Sequence, residues 1–205
     1  LLVGSSENAA AQLLDALILE LATAGLILNE TKTMAMTNVA QSPGRLTTPA
    51  GVAVKVLLRE EAHKWLGCML SAAARHRHGA EIEYRLQSAG RVFYANRPLL
   101  CNKHVSVVAR LRYFASLVSS MACFASGHRT QRREDVERMD VTFRSFARQI
   151  VGPPADADWT QPWHVTLHFW NLRVQQFARR ANIRTWGAEC LRGYFRLAGW
   201  VARLP

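Results

Sequence analysis

The chain has 205 residues, of which 26 are Lys or Arg and 15 are Asp or Glu, so its formal net charge is +11. This length allows one large domain or two small ones, and a hydrophobic fraction of 49% is enough to form a packed core. The net charge of +11 excludes an acidic or electroneutral protein. It favours an anionic partner, either nucleic acid or an acidic membrane surface.

The positive charge is concentrated in the second part of the chain. Residues 1–80 hold 7 Lys or Arg and 6 Asp or Glu, for a net charge of +1. Residues 81–205 hold 19 Lys or Arg and 9 Asp or Glu, for a net charge of +10. Most of these cations are Arg, whose planar fork binds phosphate through two hydrogen bonds, so the second part is the predicted polyanion-binding half.

Cysteine usage and hydropathy indicate the compartment. The four cysteines are scattered and form no Cys-x-x-Cys pair, which favours free thiols in a reducing, intracellular compartment, nuclear or cytoplasmic. The best apolar run, residues 113–125, is too short to span a bilayer, so no membrane partner is expected. The opening "LLVGSS" lacks the basic segment of a signal peptide.

The first 71 residues predict a small α+β unit in the order strand, helix, strand, strand, strand. Residues 1–6 predict a short strand, and Ser5 or Ser6 can cap the helix that follows. Gly25 suits the left-handed position that ends such a helix, and Leu26 is expected to pack back on it. Further strands are predicted over residues 33–39, 52–56 and 63–70, with a turn at residues 42–45.

From residue 72 onward the pattern becomes helical. Residues 72–80 predict a linker bend, residues 81–152 an all-helical domain, and residues 153–205 a further helical region. The clearest break is residues 152–158, which contain a glycine and two prolines. Helices are predicted over residues 81–99, 105–126, 132–151 and 160–197.

Two short motifs in the first part carry more information together than either does alone. "GLILNETKT", residues 25–33, is by itself a capped helix end followed by a turn with an exposed Lys32. "HKWLG", residues 63–67, is by itself a strand with a buried Trp65 and a glycine turn. Neither reading requires a function.

In this order and spacing, the two motifs resemble the last part of the palm of a reverse transcriptase of the non-LTR, LINE-type retrotransposon family. The family's Gly-Leu-x-Leu-Asn-x-x-Lys-Thr box is matched by Gly25, Leu26, Leu28, Asn29, Lys32 and Thr33. Its primer grip is matched by Lys64, Trp65, Leu66 and Gly67. The resemblance continues more loosely through the helical part, at residues 143–154 and 197–205.

The resemblance implies an RNA-directed DNA polymerase that transfers nucleotides with two metal ions, Mg²⁺ in the intact enzyme. Lys32 matches the lysine that protonates the leaving pyrophosphate or neutralises its charge. The primer grip holds the primer end in line, and the arginine-rich helices correspond to a thumb. The implied partners are an RNA template, a DNA primer and the upstream fingers and palm of the same polyprotein.

The aspartates that would hold those metal ions have no counterpart here. None of the five aspartates lies in a strand–turn Asp-Asp pair, and the family's pair would fall just before Leu1. We therefore expect this segment alone to bind no catalytic metal and to be inactive as a polymerase. A zinc site built from Cys101, His104, His164 and His168 is disfavoured because the Cys-x-x-Cys half is absent.

Arginines spread over the predicted helices are the candidate nucleic-acid contacts. For any one of them a solvated helix face is an equally good reading, but the net charge of +10 favours a collective grip on the phosphate backbone. Two alternatives stay open: a non-enzymatic basic helical module that binds RNA or RNA–DNA duplex as a domesticated or decayed remnant, and a structural helical domain. The candidates are Arg85, Arg91, Arg97, Arg110, Arg112, Arg132 and Arg133, followed by Arg138, Arg144 and Arg148.

Overall fold

The computed structural model describes residues 4–38, 44–126, 132–154 and 159–203, and it confirms an α+β protein. The chain divides into two compact units, Leu1–Ala80 and Glu81–Pro205. The expected strand over residues 1–6 and the expected turn at residues 42–45 lie partly outside the described residues. Within the described ranges, no helix is both long enough and apolar enough to cross a membrane.

The first unit begins with helix α1 (Glu7–Thr23), whose ends follow the sequence signals. The Ser6 hydroxyl accepts a hydrogen bond from the backbone N–H of Ala9 at 3.2 Å, which caps the first turn. Gly25 has a φ of 73° and ends the helix as predicted, because a left-handed residue lets its own N–H and that of Leu26 bond back to carbonyls of the last turn. Leu26, however, is exposed and does not pack back on α1.

A three-stranded mixed sheet packs beside α1. Strand β1 (Met34–Met36) runs parallel to β3 (Ala53–Leu57), and β2 (Arg45–Thr47) pairs with β3 in the antiparallel sense, in the order β1-β3-β2. Strand β2 is a correction to the sequence reading, which placed a turn at Arg45. The unit's core consists of Ala11, Leu14, Leu46, Val54 and Val56.

Residues 63–70, predicted as one strand, form a hairpin of β4 (Ala62–Trp65) and β5 (Cys68–Ser71). The two loop residues, Leu66 and Gly67, both have positive φ, at 46° and 84°. That combination is typical of the two-residue turns whose twist matches an antiparallel pair. The prediction of a single strand was wrong because the first residue of such a turn is usually Asn, Asp or Gly, and here it is Leu66.

From Ala74 onward the described chain is helical, with two corrections near the start of this part. Helix α2 (Ala74–Ala95) begins inside the predicted bend at residues 72–80, because a stretch of Ala and Arg with one Gly and no Pro contains nothing that stops a helix. A separate short helix, α3 (Arg97–Leu100), then follows, because Pro98 lacks the N–H that would continue α2.

The remaining helices include one that changes type and one predicted helix that is divided. Helix α4 (Val107–Phe114) continues as a π segment (Ala115–Ser119) and a short helix α5 (Ser120–Ala122). Helix α6 (Arg133–Val151) confirms the prediction for residues 132–151. The helix predicted over residues 160–197 is instead α7 (Trp163–Ala181) and α8 (Trp186–Val201), separated at Asn182, which has a φ of 57°.

Aromatic side chains form the centre of the helical unit. Phe93 stacks on Phe146 with ring centroids 4.2 Å apart, and Phe114 stacks on Trp186 at 6.0 Å. Phe143 contacts both Phe114 and Trp186. All five rings are buried, and offset or edge-on aromatic pairs contribute beyond their area alone. The core therefore joins α2, α4, α6 and α8.

Asp140 on α6 fixes the start of α8. One carboxylate oxygen accepts the backbone N–H of Gly187 at 2.6 Å, and the other accepts the hydroxyl of Thr185 at 3.1 Å. The approach is so close that a Cβ on Gly187 would lie 2.6 Å from Val136 Cγ1 and 2.9 Å from the carboxylate. Gly187 is thus required by packing.

Two glycine-to-alanine substitutions within α8 test this packing. Gly187→Ala is expected to lower the free energy of unfolding by about 1–3 kcal/mol, because Val136 and Asp140 must move. Gly199→Ala, at a position with open space around it, is expected to raise the free energy of unfolding by about 0.5–1 kcal/mol. Urea denaturation of the intact chain measures both, and equal effects would contradict the proposed role of Gly187.

Candidate nucleic-acid interface

Lys32 lies in the turn between α1 and β1, and its side chain is exposed. Asn29 holds this turn: its side-chain oxygen accepts the N–H of Lys32 at 3.1 Å and the hydroxyl of Thr31 at 2.7 Å. The Thr33 hydroxyl donates to the Asn29 carbonyl at 2.8 Å. Within the apolar run before the turn, Leu28 packs against the core of the first unit, whereas Ile27 is almost fully exposed. The hydrogen bonds of Asn29 shape the backbone around Lys32.

The predicted primer grip occupies the tip of the β4–β5 hairpin. Lys64 and Trp65 end β4, and Leu66 and Gly67 form its loop. Trp65 is 46% exposed and Leu66 is 77% exposed, so the sequence reading of a buried Trp65 was wrong. An exposed apolar tip on a tight, twisted hairpin is a surface suited to contact with a base or a partner.

Arg85 is inside the second unit. Its side chain is 3% exposed, and its Nε donates to Glu81 Oε1 at 2.6 Å, one helical turn earlier. Its guanidinium also lies 4.7 Å from the centre of the Phe124 ring. A buried arginine paired in this way serves the packing of α2, and its placement corrects the prediction of a phosphate contact. The Glu81-to-Arg85 spacing is the sequence signal that indicates the pair.

Arg110 is buried as well, and it binds carbonyls at helix ends. Its guanidinium donates to the Val105 carbonyl at 3.0 Å, to the Leu100 carbonyl at 3.3 Å and to the Ile150 carbonyl. The last carbonyls of a helix have no partner within the helix, so Arg110 satisfies groups at the ends of both α3 and α6. Burial lowers the pKa of Arg110, an effect that the nearby Cys101 opposes.

Arg112 is placed where a phosphate contact is possible. Its side chain is exposed, and its Nε lies 3.5 Å from the carbonyl oxygen of Ala181, the last residue of α7. The last turn of α7 adds two exposed arginines, Arg179 and Arg180, and Arg184 follows in the α7–α8 link. We call Arg112, Arg179, Arg180 and Arg184 the arginine cluster. Three of its four members were missed by the sequence reading.

Two local features favour cations at the end of α7: the helix dipole and the aromatic ring of Phe177. The carbonyl end of α7 carries the negative end of its dipole, which stabilises cations placed there. Phe177 lies one turn earlier, with the guanidinium groups of Arg173 and Arg180 each 5.6 Å from its ring centre. An arginine stacked on an aromatic ring keeps its N–H edge available for an anion. The end of α7 therefore stabilises Arg179 and Arg180 without pairing them with a carboxylate of the described residues, whereas Arg184 pairs with Glu189 at 3.6 Å.

Of the other predicted arginines, four are exposed and two have side-chain partners. Arg91, Arg97, Arg132 and Arg133 are exposed and could contact a polyanion. Arg138 forms an exposed ion pair with Glu83 at 2.9 Å. Arg148 donates to the side chain of Asn171 at 2.9 Å, and burial, followed by the charge of Arg144, lowers its pKa.

A groove of about 390 Å³ lies beside the arginine cluster. One wall is the π segment and α5, with Ser119 and Ser120; the other is the α7–α8 link and the first turns of α8, with Asn182, Arg184 and Glu189. Trp186 fixes the floor, because its Nε1 donates to Ser119 Oγ at 2.7 Å. The volume of the groove falls within the range of sites that bind a small ligand.

The described aspartates serve the fold. Asp15 accepts the backbone N–H of Ala50 at 3.1 Å, Asp135 is buried on α6, and Asp140 holds the start of α8. Asp156 and Asp158 lie outside the described residues. In the part of the chain that the structure describes, no group of three or more His, Cys, Asp or Glu side chains could hold a metal ion.

Comparisons of the chain with protein-family models, with curated proteins and with solved structures found no match. The likeness to a reverse transcriptase therefore remains a prediction from the motifs at residues 25–33 and 64–67. Function has to be inferred from those motifs and from the placement of the arginines.

Arg110→Met and Arg112→Met should have opposite consequences. Losing Arg110 leaves buried carbonyls without donors, so we expect the free energy of unfolding to fall by about 2–4 kcal/mol. Losing the exposed Arg112 is expected to change it by less than about 0.5 kcal/mol. Urea denaturation of both variants is the measurement. Comparable destabilisation by the two would contradict the assignment of Arg110 to the interior.

Proposed function

We propose that this chain grips the phosphate backbone of an RNA–DNA duplex, as the C-terminal palm, primer-grip and thumb segment of a non-LTR retrotransposon reverse transcriptase. The observation that carries the proposal is the arginine cluster at the end of α7, on the most basic part of the chain. The motifs around Lys32 and Trp65 supply the link to polymerase chemistry.

Binding of this kind depends on charge and is independent of base sequence. Each exposed arginine that meets a phosphate releases a condensed counterion, so affinity falls steeply as salt rises. Arginine also donates two parallel hydrogen bonds to one phosphate, which fixes the position of the backbone. The arginine cluster and the groove beside it provide such a surface on one side of the second unit.

In the intact polymerase the remaining chemistry would come from other parts. Aspartates of the upstream palm would hold the Mg²⁺ ions, and the RNA template and DNA primer would pass between that palm and this segment. Lys32 would protonate the leaving pyrophosphate or neutralise its charge, held by the Asn29 turn. Trp65 and Leu66 would hold the primer end from the hairpin tip.

A second candidate is a non-enzymatic module that binds RNA or RNA–DNA duplex. It requires no catalytic carboxylates, and in this chain Asp15 and Asp140 make contacts within the fold. Both candidates require the same backbone grip. They differ in whether an adjoining polymerase centre is present.

Paired arginine substitutions test the grip directly. Arg179→Gln with Arg180→Gln is expected to lower the affinity for RNA–DNA duplex by about tenfold at moderate salt. The slope of log K against log salt should fall by about one to two, since one or two phosphate contacts are lost. Filter binding over a salt series measures both quantities.

The matched control removes the same charge elsewhere. Arg196→Gln with Arg203→Gln alters two exposed arginines near the other end of α8, so the salt slope should remain close to that of the unaltered chain. If both double variants lose affinity equally, net charge alone accounts for binding and the arginine cluster has no special part. Absence of salt-dependent binding in the unaltered chain would leave only a structural helical domain.

Trp65→Ala tests the polymerase assignment in a longer chain that includes the upstream catalytic aspartates. Loss of the exposed ring should lower primer extension by about ten- to a hundredfold, because the primer end is no longer held in line. Trp159→Ala removes an indole of similar exposure from the second unit and should leave extension unchanged. Normal extension by Trp65→Ala would count against the primer grip.

A further inference from the structure

The groove between the π segment and the α7–α8 link is lined by both cationic and acceptor side chains, and a phosphate alone would use only the cations and donors. Arg184 is a cation, but Glu189 beside it carries an acceptor-only carboxylate, and the two pair at 3.6 Å. Ser119, Ser120 and Asn182 add hydroxyl and amide groups to the same walls. A ligand that fits must carry hydrogen-bond donors as well as negative charge.

Several of these groups have hydrogen-bonding capacity to spare. Ser119 Oγ accepts from Trp186 Nε1, and its own O–H has no acceptor among the described residues. The carboxamide of Asn182 likewise bonds to no other described side chain or backbone group. Ser120 donates to the Leu117 carbonyl at 2.8 Å, which leaves its oxygen free to accept. The groove thus offers donors and acceptors side by side.

The framework that holds these groups is well packed and hydrogen-bonded. Trp186 is fully buried against Phe114, and Asp140 fixes the backbone of the next residue, Gly187. The opposite wall is a π segment, a widened helical turn that occurs often at functional sites. Side chains fixed on such a framework lose little freedom when a ligand binds.

We propose that this groove binds a ribose–phosphate unit of an RNA strand and distinguishes RNA from DNA. In a nucleic-acid backbone the ribose 2′-hydroxyl is the group that both donates and accepts hydrogen bonds, and DNA lacks it. The 2′-hydroxyl donates to Glu189 or Ser120 and accepts from Ser119 or Asn182, while the adjacent phosphate meets Arg184 and the arginine cluster. This inference rests on the proposed nucleic-acid binding and specifies which strand the second unit holds.

The test compares binding of single-stranded RNA and DNA oligonucleotides of one sequence and length at fixed salt. Asn182→Gly keeps the left-handed backbone and removes the amide, and Ser120→Ala removes the hydroxyl. Each is expected to weaken RNA binding by about three- to tenfold, the loss of one or two hydrogen bonds, and to leave DNA binding unchanged.

Ser116→Ala is the matched control for Ser120→Ala. Its hydroxyl makes the same local bond, to the Tyr113 carbonyl at 2.9 Å, but it lies outside the groove lining. RNA affinity should therefore be unchanged. An unaltered chain that binds RNA and DNA equally, or groove variants with an unchanged RNA-to-DNA ratio, would overturn the ribose assignment while leaving backbone binding intact. A chain that binds neither strand would overturn the ribose assignment, and one that also fails to bind RNA–DNA duplex would overturn the proposed function as well.

Cys123 gives a second measurement that needs no substitution. It lies in the groove lining and is partly exposed. Saturating RNA should slow its alkylation by iodoacetamide several-fold, measured by mass spectrometry of the Cys123 peptide, with the urea-unfolded chain showing no such protection. Alkylation at the same rate with and without bound RNA would place the strand elsewhere and overturn the inference.

Discussion

The seating of Trp186 at the start of α8 is the interaction on which the second unit depends. Its ring is buried against Phe114 and Phe143, while its indole N–H reaches Ser119 on the π segment. Asp140 then binds the backbone N–H of Gly187, the next residue. Together these contacts attach α8 to α4, to the π segment and to α6. The α7–α8 link is held at one end by α7 and at the other by this indole. The packing of the core therefore determines the positions of the groove walls.

Arginine serves two opposite purposes in this unit. Arg85 and Arg110 are buried, the first paired with Glu81 and the second donating to carbonyls at helix ends. Removing a guanidinium from water is unfavourable unless its donors are paired, and both residues have partners that meet this condition. Arg112 and Arg179 remain exposed at the end of α7, where the helix dipole favours a cation. Net charge therefore overstates the number of cations available to a polyanion.

The sequence predicts features that are set by neighbouring residues. Ser6 and Gly25 marked both ends of α1 because capping depends on a few adjacent backbone groups. Asn182 ends α7 by the same left-handed geometry, but its side chain makes the signal weaker than a glycine does, so α7 and α8 were merged. The groove could not be predicted, since it depends on Trp186 meeting Ser119 across a long stretch of chain.

The burial of Arg110 could not be predicted for the same reason. The carbonyl of Ile150 that it binds belongs to another helix, and helical periodicity around residue 110 is equally compatible with an exposed arginine. By contrast, the Glu81–Arg85 pair is one turn of helix apart and was open to prediction from spacing. Contacts within a turn can be read from the sequence, whereas contacts between helices require the fold.

Binding of a phosphate backbone and two-metal catalysis make different physical demands on a chain. Phosphate contacts act through exposed cations that contribute nearly independently, so a surface built from such cations retains most of its affinity after other parts are lost. A two-metal centre requires carboxylates from separate elements held within a few ångströms, and it fails when any one is absent. In this chain Asp15 and Asp140 make contacts within the fold, while Arg179 and Arg180 of α7 remain exposed. On the proposed function, a segment built in this way would bind a nucleic-acid backbone by itself, while polymerase chemistry at Lys32 would require carboxylates from outside it.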